Sequence, residues 1–282
     1  MRINIICDEA DGGWIYTKFI IKIGLYSKHT IFVNTKQKYD IEFFLPYYKI
    51  NNDLLRAPRT AWFSHQEILN PLKDKFISAS KKCDWCFSPS IKYTKLLQQN
   101  GVLGVSQVHH GVDLKIFIPR SSIRPKSNKL IVGFVGRNYT STSRKNERLL
   151  RKIAALDFID FRITGGKIKE DKMPEFYTEL DLICSPSLRE GGPLCIPEGL
   201  ACGIPTLCYS DVGVADEFEH GVLRVGYNNE QDFIQRLKDF WANKEFNYYN
   251  QTATQQLLRS QVETHTWQNF TAAFDEIWDR LL

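Results

Sequence analysis

Residues 189–205 read Arg189-Glu190-Gly191-Gly192-Pro193-Leu194-Cys195-Ile196-Pro197-Glu198-Gly199-Leu200-Ala201-Cys202-Gly203-Ile204-Pro205. Two glutamates, Glu190 and Glu198, bracket two glycines and an apolar run that indicates a short helix. Glycines let a ligand approach the backbone closely, and a helix N-terminus offers unpaired N–H groups that suit a phosphate. Carboxylates accept hydrogen bonds from sugar hydroxyls. The stretch therefore predicts one element that holds a diphosphate and a sugar together.

Short apolar runs alternate with helical patterns along the chain, which is typical of parallel α/β architecture. Strands are expected at residues 3–7, 30–34, within 39–50, and at 60–64, 84–88 and 105–108, with helices at 14–26 and up to Leu97. After a polar, proline-containing linker at 119–129, strands are expected at 130–135, 161–164, 182–185 and 205–208. Helices are expected at 145–156, 194–202 and 230–242, followed by a helical tail from 252 to 282.

This alternation predicts an α/β fold of two tandem, doubly wound, Rossmann-like domains. The first covers residues 1–119 and the second residues 120–282, with a ligand-binding cleft between them. An apolar stripe in the tail, Trp267, Phe270, Phe274 and Trp278, has helical spacing and predicts packing surface, so the last helix is expected to pack back on the first domain.

Composition favours a globular cytoplasmic protein. The 282-residue chain is 43% hydrophobic, with a net charge of +5 that permits an anionic partner without requiring one. Its seven cysteines, an odd number in a long chain, indicate a reducing compartment. The first apolar run is too short for a signal peptide, and no window resembles a membrane-spanning helix. We expect a cytoplasmic location, with a basic surface that offers peripheral contact to the inner face of a membrane.

Two cations are placed to bind a diphosphate. Arg137 follows the strand that ends at Val135, and Lys145 stands at the start of the next helix. Together they can neutralise a diphosphate leaving group from two sides. Arg144 lies beside Lys145 and could serve in its place.

Two further elements of the N-terminal half are candidates for ligand contact. Gly12 and Gly13 open the first helix, where a glycine loop can approach a phosphate or a sugar. His65 stands at the end of an expected strand, on the cleft side. The pair His109 and His110 is interpreted as a structural turn before the linker.

Two further patterns have structural interpretations that compete with functional ones. Arg144, Arg148, Arg151 and Lys152 form a basic helix face, which is either solvated or contacts a polyanion such as anionic lipid or nucleic acid. Cys83 and Cys86 have C-x-x-C spacing but no second pair of zinc ligands. Because both are expected in a strand rather than at a helix start, a structural role is favoured over a redox one.

Taken together, these motifs resemble the retaining glycosyltransferases of the GT-B fold, in the large group called family 4. The resemblance covers most of the chain, and its specific motifs lie in the C-terminal half. It rests on Asp11-Gly12-Gly13, His110-Gly111-Val112-Asp113, Gly136-Arg137, Gly165-Gly166, the run from Met173 to Tyr177, Leu180-Asp181 with Pro186-Ser187, and the complete element from Glu190 to Glu198.

The resemblance implies a role for each candidate residue. Glu190 would hold the transferred sugar, Glu198 the ribose hydroxyls, and His65 the sugar near the reaction centre. Arg137 and Lys145 would stabilise the departing diphosphate, replacing a metal. Donor contacts would also come from Gly12, Gly13, Gly165 and the N–H groups of Gly191, Gly192, Leu194 and Cys195. No cofactor, metal or enzyme nucleophile is implied, because the leaving phosphate helps to deprotonate the acceptor on the same face.

The resemblance implies a nucleotide-diphosphate sugar as donor and a glycan or lipid-linked sugar as acceptor. DNA with hydroxylated bases is a second acceptor class, suggested by the basic region 120–152 and the compact size of the chain. A sugar-nucleotide epimerase of the same fold would share the donor motifs, and so would a non-catalytic module that only binds a nucleotide sugar.

Overall fold

The structure is a computed structural model that describes residues 1–7, 14–50, 57–66, 75–122, 127–136, 144–242 and 245–282. The chain divides into two compact units. Unit 1 comprises Met1–Gly111 and His265–Leu282, and unit 2 comprises Val112–Thr264. This division falls between Gly111 and Val112, somewhat before the boundary at 119/120 that the linker composition predicts.

Unit 1 alternates strands with helices. In chain order its first elements are β1 (Arg2–Ile6), α1 (Trp14–Tyr26), β2 (Thr30–Val33), β3 (Ile41–Phe44), β4 (Arg59–Trp62), α2 (Lys75–Ser80), β5 (Trp85–Ser88), α3 (Ile91–Gln99) and β6 (Val105–Gln107). The described strands form one parallel sheet in the order β2-β1-β3-β4-β5-β6. The sheet is thus built outward in both directions from β1 and β3.

Unit 2 repeats this pattern. Its elements are β7 (Leu130–Phe134), α4 (Glu147–Ala154), β8 (Ile159–Ile163), α5 (Met173–Thr178), β9 (Leu182–Ser185), α6 (Cys195–Ala201), β10 (Thr206–Tyr209), β11 (Val222–Val225), α7 (Glu230–Ala242), α8 (Glu245–Tyr249) and α9 (Thr252–Ser260). The parallel strands are ordered β11-β10-β9-β7-β8, so the direction of winding reverses between β7 and β9. Ligand sites of open parallel sheets form at such a point, beyond the carboxyl ends of the strands.

Apolar side chains cover both faces of the unit 2 sheet. Ile131 and Ile183 pack into the core that also contains residues of α6 and α9. Their strand neighbours Val132 and Leu182 pack into a separate core with residues of α4 and α7. Because successive side chains of a strand point to opposite faces, a strand buried on both sides reads as a continuous apolar run. This is the doubly wound arrangement that the sequence predicts.

Helix α10 (Trp267–Arg280) completes unit 1 by packing with α1. Its stripe of Trp267, Phe270, Phe274 and Trp278 is buried. The ring of Phe274 lies 5.2 Å from that of Phe43 and 4.6 Å from that of Phe87, centroid to centroid. The interpretation of this stripe as packing surface is confirmed.

The tail is helical as expected, in two helices, since α9 ends at Ser260 and α10 begins at Trp267, where the side chain of Thr266 caps it. Some local expectations are wrong. Of the pair Cys83 and Cys86, only Cys86 lies in a strand, because Cys83 precedes β5, just after the turn that follows α2. The strand β11 and the short helices α2, α5 and α8 were not expected. No helix among the described residues has the length and apolar character needed to cross a bilayer.

Candidate functional site

Glu190 lies in the loop between β9 and α6, at the reversal point of the unit 2 sheet. The N–H of Leu188 donates to the carbonyl of Arg144 at 2.8 Å, which ties this loop to the segment that leads into α4. The N–H of Gly213 donates to the carbonyl of Glu190, also at 2.8 Å. The backbone on both sides of the glutamate side chain is therefore fixed.

Arg189 makes the turn that precedes Glu190. Its φ is +54°, in the left-handed region that residues with a side chain rarely adopt. The N–H of Arg189 donates to Oδ2 of Asp211 at 2.8 Å. A charge-assisted hydrogen bond of this kind stabilises a turn that the residue type alone would disfavour.

One carboxylate oxygen of Glu190 receives two cations. Nη1 of Arg144 donates to Oε2 of Glu190, and Nζ of Lys145 lies 2.8 Å from the same oxygen. The three side chains are 10%, 13% and 9% exposed, in the order Arg144, Lys145, Glu190. Two positive charges thus face one negative charge in a nearly buried cluster. The carboxylate is held in a fixed direction, and the cluster carries a net positive charge that suits an anion.

This geometry corrects the expected basic helix face. Arg144 lies before α4 and is buried against Glu190 instead of lying on the exposed face. Within α4, Arg148 and Lys152 pair with Glu230 of α7 at 2.6 Å and 2.5 Å. The Glu230 carboxylate offsets part of the positive charge of this helix face. The basic charge in this part of the chain therefore gives less support to a DNA acceptor than the sequence alone suggests.

Glu198 is held by a tyrosine that sequence reasoning did not single out. The hydroxyl of Tyr177 donates to Oε2 of Glu198 at 2.8 Å. Tyr177 is fully buried and Glu198 is 2% exposed. Burial raises the pKa of Tyr177 well above its usual value, and the Glu198 carboxylate adds to this. The phenol therefore remains a neutral donor at physiological pH. The sequence signal that could have identified Tyr177 is its position in the motif from Met173 to Tyr177, which precedes the segment from Glu190 to Glu198.

The other predicted donor residues of unit 2 lie at the same edge of the sheet. The N–H of Gly136 donates to Oγ1 of Thr164 at 3.0 Å, which joins the ends of β7 and β8. Gly165 follows with a φ of +59°, and no atom lies within 4 Å of where its Cβ would be. A side chain there would be strained by the backbone conformation, while the space beside the backbone stays open.

Gly191, Gly192 and Leu194 connect Glu190 to α6, which begins at Cys195. Gly191, Gly192, Leu194 and Cys195 are all buried. Burial raises the pKa of Cys195 from 9.0 to about 12, so this thiol stays protonated at neutral pH. A protonated thiol is a poor nucleophile.

His65 belongs to unit 1 and is 8% exposed. Its Nδ1 lies 2.9 Å from Oγ of Ser64, which in turn lies 3.4 Å from the hydroxyl of Tyr16. Arg137, Gly12 and Gly13 lie outside the described residues. The structure therefore pairs Lys145 and Arg144 with Glu190, and Tyr177 with Glu198. Within the described ranges, no group of three His, Cys, Asp or Glu side chains is arranged to bind a metal ion.

Comparison with protein families gives a direct result for unit 2. The family model for glycosyl transferases group 1 matches residues 115–256, which is half of the chain. The chain belongs to this family. The match includes Arg144, Lys145, Glu190 and Glu198, so these residues lie inside the matched region. Curated protein sequences give no match to the chain.

Solved structures of glycosyltransferases share the fold. HepE of Anabaena, in complex with UDP-glucose, superposes with a TM-score of 0.74 and 12% identity over 100% of both chains. Sucrose-phosphate synthase from Thermosynechococcus elongatus gives a TM-score of 0.72 and 12% identity, over 100% of this chain and 99% of the other. The lipopolysaccharide outer core galactosyltransferase WaaB, in its apo form, gives 0.65 and 13% identity over 100% of both chains.

These similarities confirm the predicted fold class, which is the GT-B fold with two parallel α/β units. At such low identity they show the fold alone. The family match adds the class of enzyme, which is a glycosyltransferase of group 1.

Proposed function

We propose that this chain is a retaining, metal-independent glycosyltransferase that moves a sugar from a nucleotide-diphosphate sugar to a hydroxyl acceptor. The observation that carries the proposal is the pairing of Arg144 and Lys145 with a single oxygen of Glu190. Two cations on one carboxylate leave positive charge for a diphosphate, and the same carboxylate can accept a hydrogen bond from a sugar hydroxyl. Solved relatives of the fold have been captured with UDP and with UDP-glucose, which favours a donor of this class.

Each residue then has a chemical task. Lys145 and Arg137 stabilise the charge that develops on the departing diphosphate, as fixed cations can do without a metal. Glu190 orients the sugar, with the N–H groups of Gly191 and Gly192 alongside. Glu198 accepts hydrogen bonds from the ribose. The departing phosphate takes the proton of the acceptor hydroxyl on the face that it leaves, so no enzyme nucleophile is needed.

Three further residues complete the donor site of the proposal. The backbone of Gly165 and the N–H groups of Leu194 and Cys195 contribute contacts to the donor. The described backbone conformation of Gly165 leaves room for this. In unit 1, His65 contacts the transferred sugar, together with the glycine loop of Gly12 and Gly13.

Donor binding is tested first, by thermal shift with UDP-glucose, UDP-galactose, UDP-N-acetylglucosamine, GDP-mannose and ADP-glucose. A bound donor at one hundred times its Kd stabilises the protein by about 2.7 kcal/mol. Lys145→Ala is expected to abolish most of the shift, because it removes a charge from the diphosphate site. Lys152→Ala is the matched control, since this lysine is exposed and pairs with Glu230. The proposal would be contradicted if none of these donors shifted the melting temperature of the wild-type protein and none released its nucleoside diphosphate.

The acceptor is a glycan or a lipid-linked sugar, and the reaction takes place in the cytoplasm or at the inner membrane face. Similarity in fold to a lipopolysaccharide galactosyltransferase motivates lipid-linked oligosaccharides as the first acceptors to assay. NMR of the product is expected to show the anomeric configuration of the donor, and EDTA is expected to leave the rate unchanged. An inverted product, or full transfer by Glu190→Ala or Arg137→Ala, contradicts the assigned mechanism.

A further inference from the structure

Arg144 holds the loop of Glu190 through both its main chain and its side chain. Its carbonyl accepts the N–H of Leu188 at 2.8 Å. Its guanidinium donates to Oε2 of Glu190. Arg144 is 8% exposed, and the next residue but one, Asn146, caps α4 by accepting the N–H of Leu149. The arginine is thus fixed between a helix start and the loop that it contacts.

Lys145 reaches the same oxygen in a different manner. Its ammonium is a point charge on a flexible stem, and Nζ lies 2.8 Å from Oε2 of Glu190. An ammonium can reorient toward a new anion with little rearrangement, whereas a planar guanidinium in a nearly buried pair is directional. The two cations are therefore suited to different tasks, although both contact one carboxylate.

We propose that Arg144 is a positioning residue that keeps the Glu190 carboxylate oriented toward the sugar while Lys145 turns to the diphosphate of the donor. The inference rests on the proposed function. With donor bound, one cation remains on Glu190 and one binds phosphate. Without Arg144, no cation remains on the Glu190 carboxylate once Lys145 binds the diphosphate. The sugar hydroxyl then loses an oriented hydrogen-bond acceptor, whereas the diphosphate keeps its cation.

Other hydrogen bonds hold the backbone of the Glu190 loop, so the effect of Arg144 on the glutamate side chain can be measured separately from any effect on folding. The N–H of Arg189 bonds to Asp211, and the N–H of Gly213 bonds to the carbonyl of Glu190. The bond from Leu188 to position 144 uses a main-chain carbonyl, which every substitution retains. Removing the guanidinium thus takes away one hydrogen bond to the glutamate side chain, while Lys145 still contacts it, and it does not release the backbone of the loop.

The experiment compares two ligands by calorimetry, the free nucleoside diphosphate and the corresponding nucleotide sugar, with the best donor from the thermal-shift panel. For Arg144→Ala we expect Kd for the free diphosphate within about twofold of wild type. We expect Kd for the nucleotide sugar to rise about 10- to 100-fold, which corresponds to the loss of one or two charge-assisted hydrogen bonds. Arg144→Lys should recover part of that loss. Lys145→Ala should weaken both ligands, and Arg151→Ala, an exposed arginine of α4, should change neither.

A second comparison addresses the route of action. In a Glu190→Gln background, Arg144→Ala should add little further loss of sugar affinity, because the carboxylate that it orients is gone. An equal loss of both ligands in Arg144→Ala would make Arg144 a phosphate ligand and overturn the inference. Unchanged affinity for both would overturn it as well. A wild-type protein that binds neither ligand contradicts the proposed function itself, which distinguishes the two failures.

Discussion

Tyr177 donates a 2.8 Å hydrogen bond to Glu198, and both side chains are almost completely buried in unit 2. A buried carboxylate needs hydrogen-bond partners, and this one receives a neutral phenol on one oxygen. The bond fixes the direction of the other oxygen. If Glu198 accepts the ribose hydroxyls, the orientation of the nucleotide depends on Tyr177 through this bond.

The first prediction follows from this pair. Tyr177→Phe removes only the hydroxyl, so we expect kcat to be nearly unchanged and KM for the donor to rise about tenfold, the equivalent of about 1.4 kcal/mol for one lost hydrogen bond. Steady-state kinetics with varied donor check this. Tyr248→Phe, which alters a tyrosine that is 43% exposed, is the control. A donor KM equal to that of wild type would show that Tyr177 has no part in orienting Glu198.

The second prediction concerns the close approach of α6 to β9. A Cβ at position 199 would collide with Cδ1 of Ile183. We expect Gly199→Ala to lower the free energy of unfolding by about 1–3 kcal/mol, as overpacking does in cores. Adding Ile183→Val removes the colliding methyl group, so the double variant should lose less than the two single variants together. Urea unfolding of the four proteins measures the coupling, and strict additivity would contradict the steric explanation.

The third prediction concerns Arg259, which connects three parts of unit 2. Its guanidinium donates to the carbonyls of Leu114 at 2.6 Å and Ala201 at 3.0 Å, and also to the carbonyl of Phe117. Arg259→Met leaves these carbonyls without their cationic donor, so we expect a loss of about 2–4 kcal/mol in the free energy of unfolding. Arg151→Met is expected to stay within about 0.5 kcal/mol, because this arginine is exposed. Similar midpoints in urea for both variants would count against the bridging role.

The fourth prediction concerns pH. Burial raises the pKa of Cys195 from 9.0 to about 12, and it also raises the pKa values of Cys184, Cys202 and Cys208. Above pH 9.0 these thiols ionise in the unfolded chain but stay protonated in the folded one. The unfolded state then binds fewer protons, so the stability contributed by the neutral thiols is complete below pH 9.0 and is lost as pH rises toward 12.

Urea unfolding at intervals between pH 8 and pH 11 tests this on the intact protein. Cys208→Ala removes one of the thiols, so we expect its stability to fall less steeply above pH 9.0, by about 1.4 kcal/mol per pH unit. The comparison with wild type cancels the contribution of other groups that titrate in the same range. Parallel curves for the two proteins would mean that Cys208 does not stay protonated in the folded state.

Much of the fold could be predicted from the sequence because strands buried on both faces are continuous apolar runs. β7 and β9 lie close to where their Val-, Ile- and Leu-rich segments place them. β11 escaped because Val222–Val225 contains Arg224, whose guanidinium bonds to the carbonyl of Ala215. An arginine in a short strand interrupts the apolar pattern, and only the tertiary fold shows which acceptor compensates it.

The sequence could predict the part of the site that depends only on which residues follow the strands of the sheet. The sequence indicated that Lys145 and Glu190 each follow a strand, and the structure adds that the two strands, β7 and β9, are neighbours, which brings the residues to one sheet edge. Arg144 could not be assigned in the same way. A basic residue next to a helix start points to solvent or inward depending on the cap, and Asn146 with a φ of +55° starts α4 so that Arg144 lies inside. The hydrophobic periodicity of a sequence does not show that a single residue such as Asn146 adopts a left-handed conformation.

The return of α10 to unit 1 has a consequence for biosynthesis. The ribosome completes the strands of unit 1 first, yet the aromatic side chain that packs on Phe43 and Phe87 belongs to α10, which is translated after Val112–Thr264. Translation of the intervening segment takes on the order of ten seconds. During that time Phe43 and Phe87 lack their final cover, while Val112–Thr264 can already close its own core. We expect unit 2 to close its core before unit 1 is complete, with the strands of unit 1 as the part that depends on chaperones.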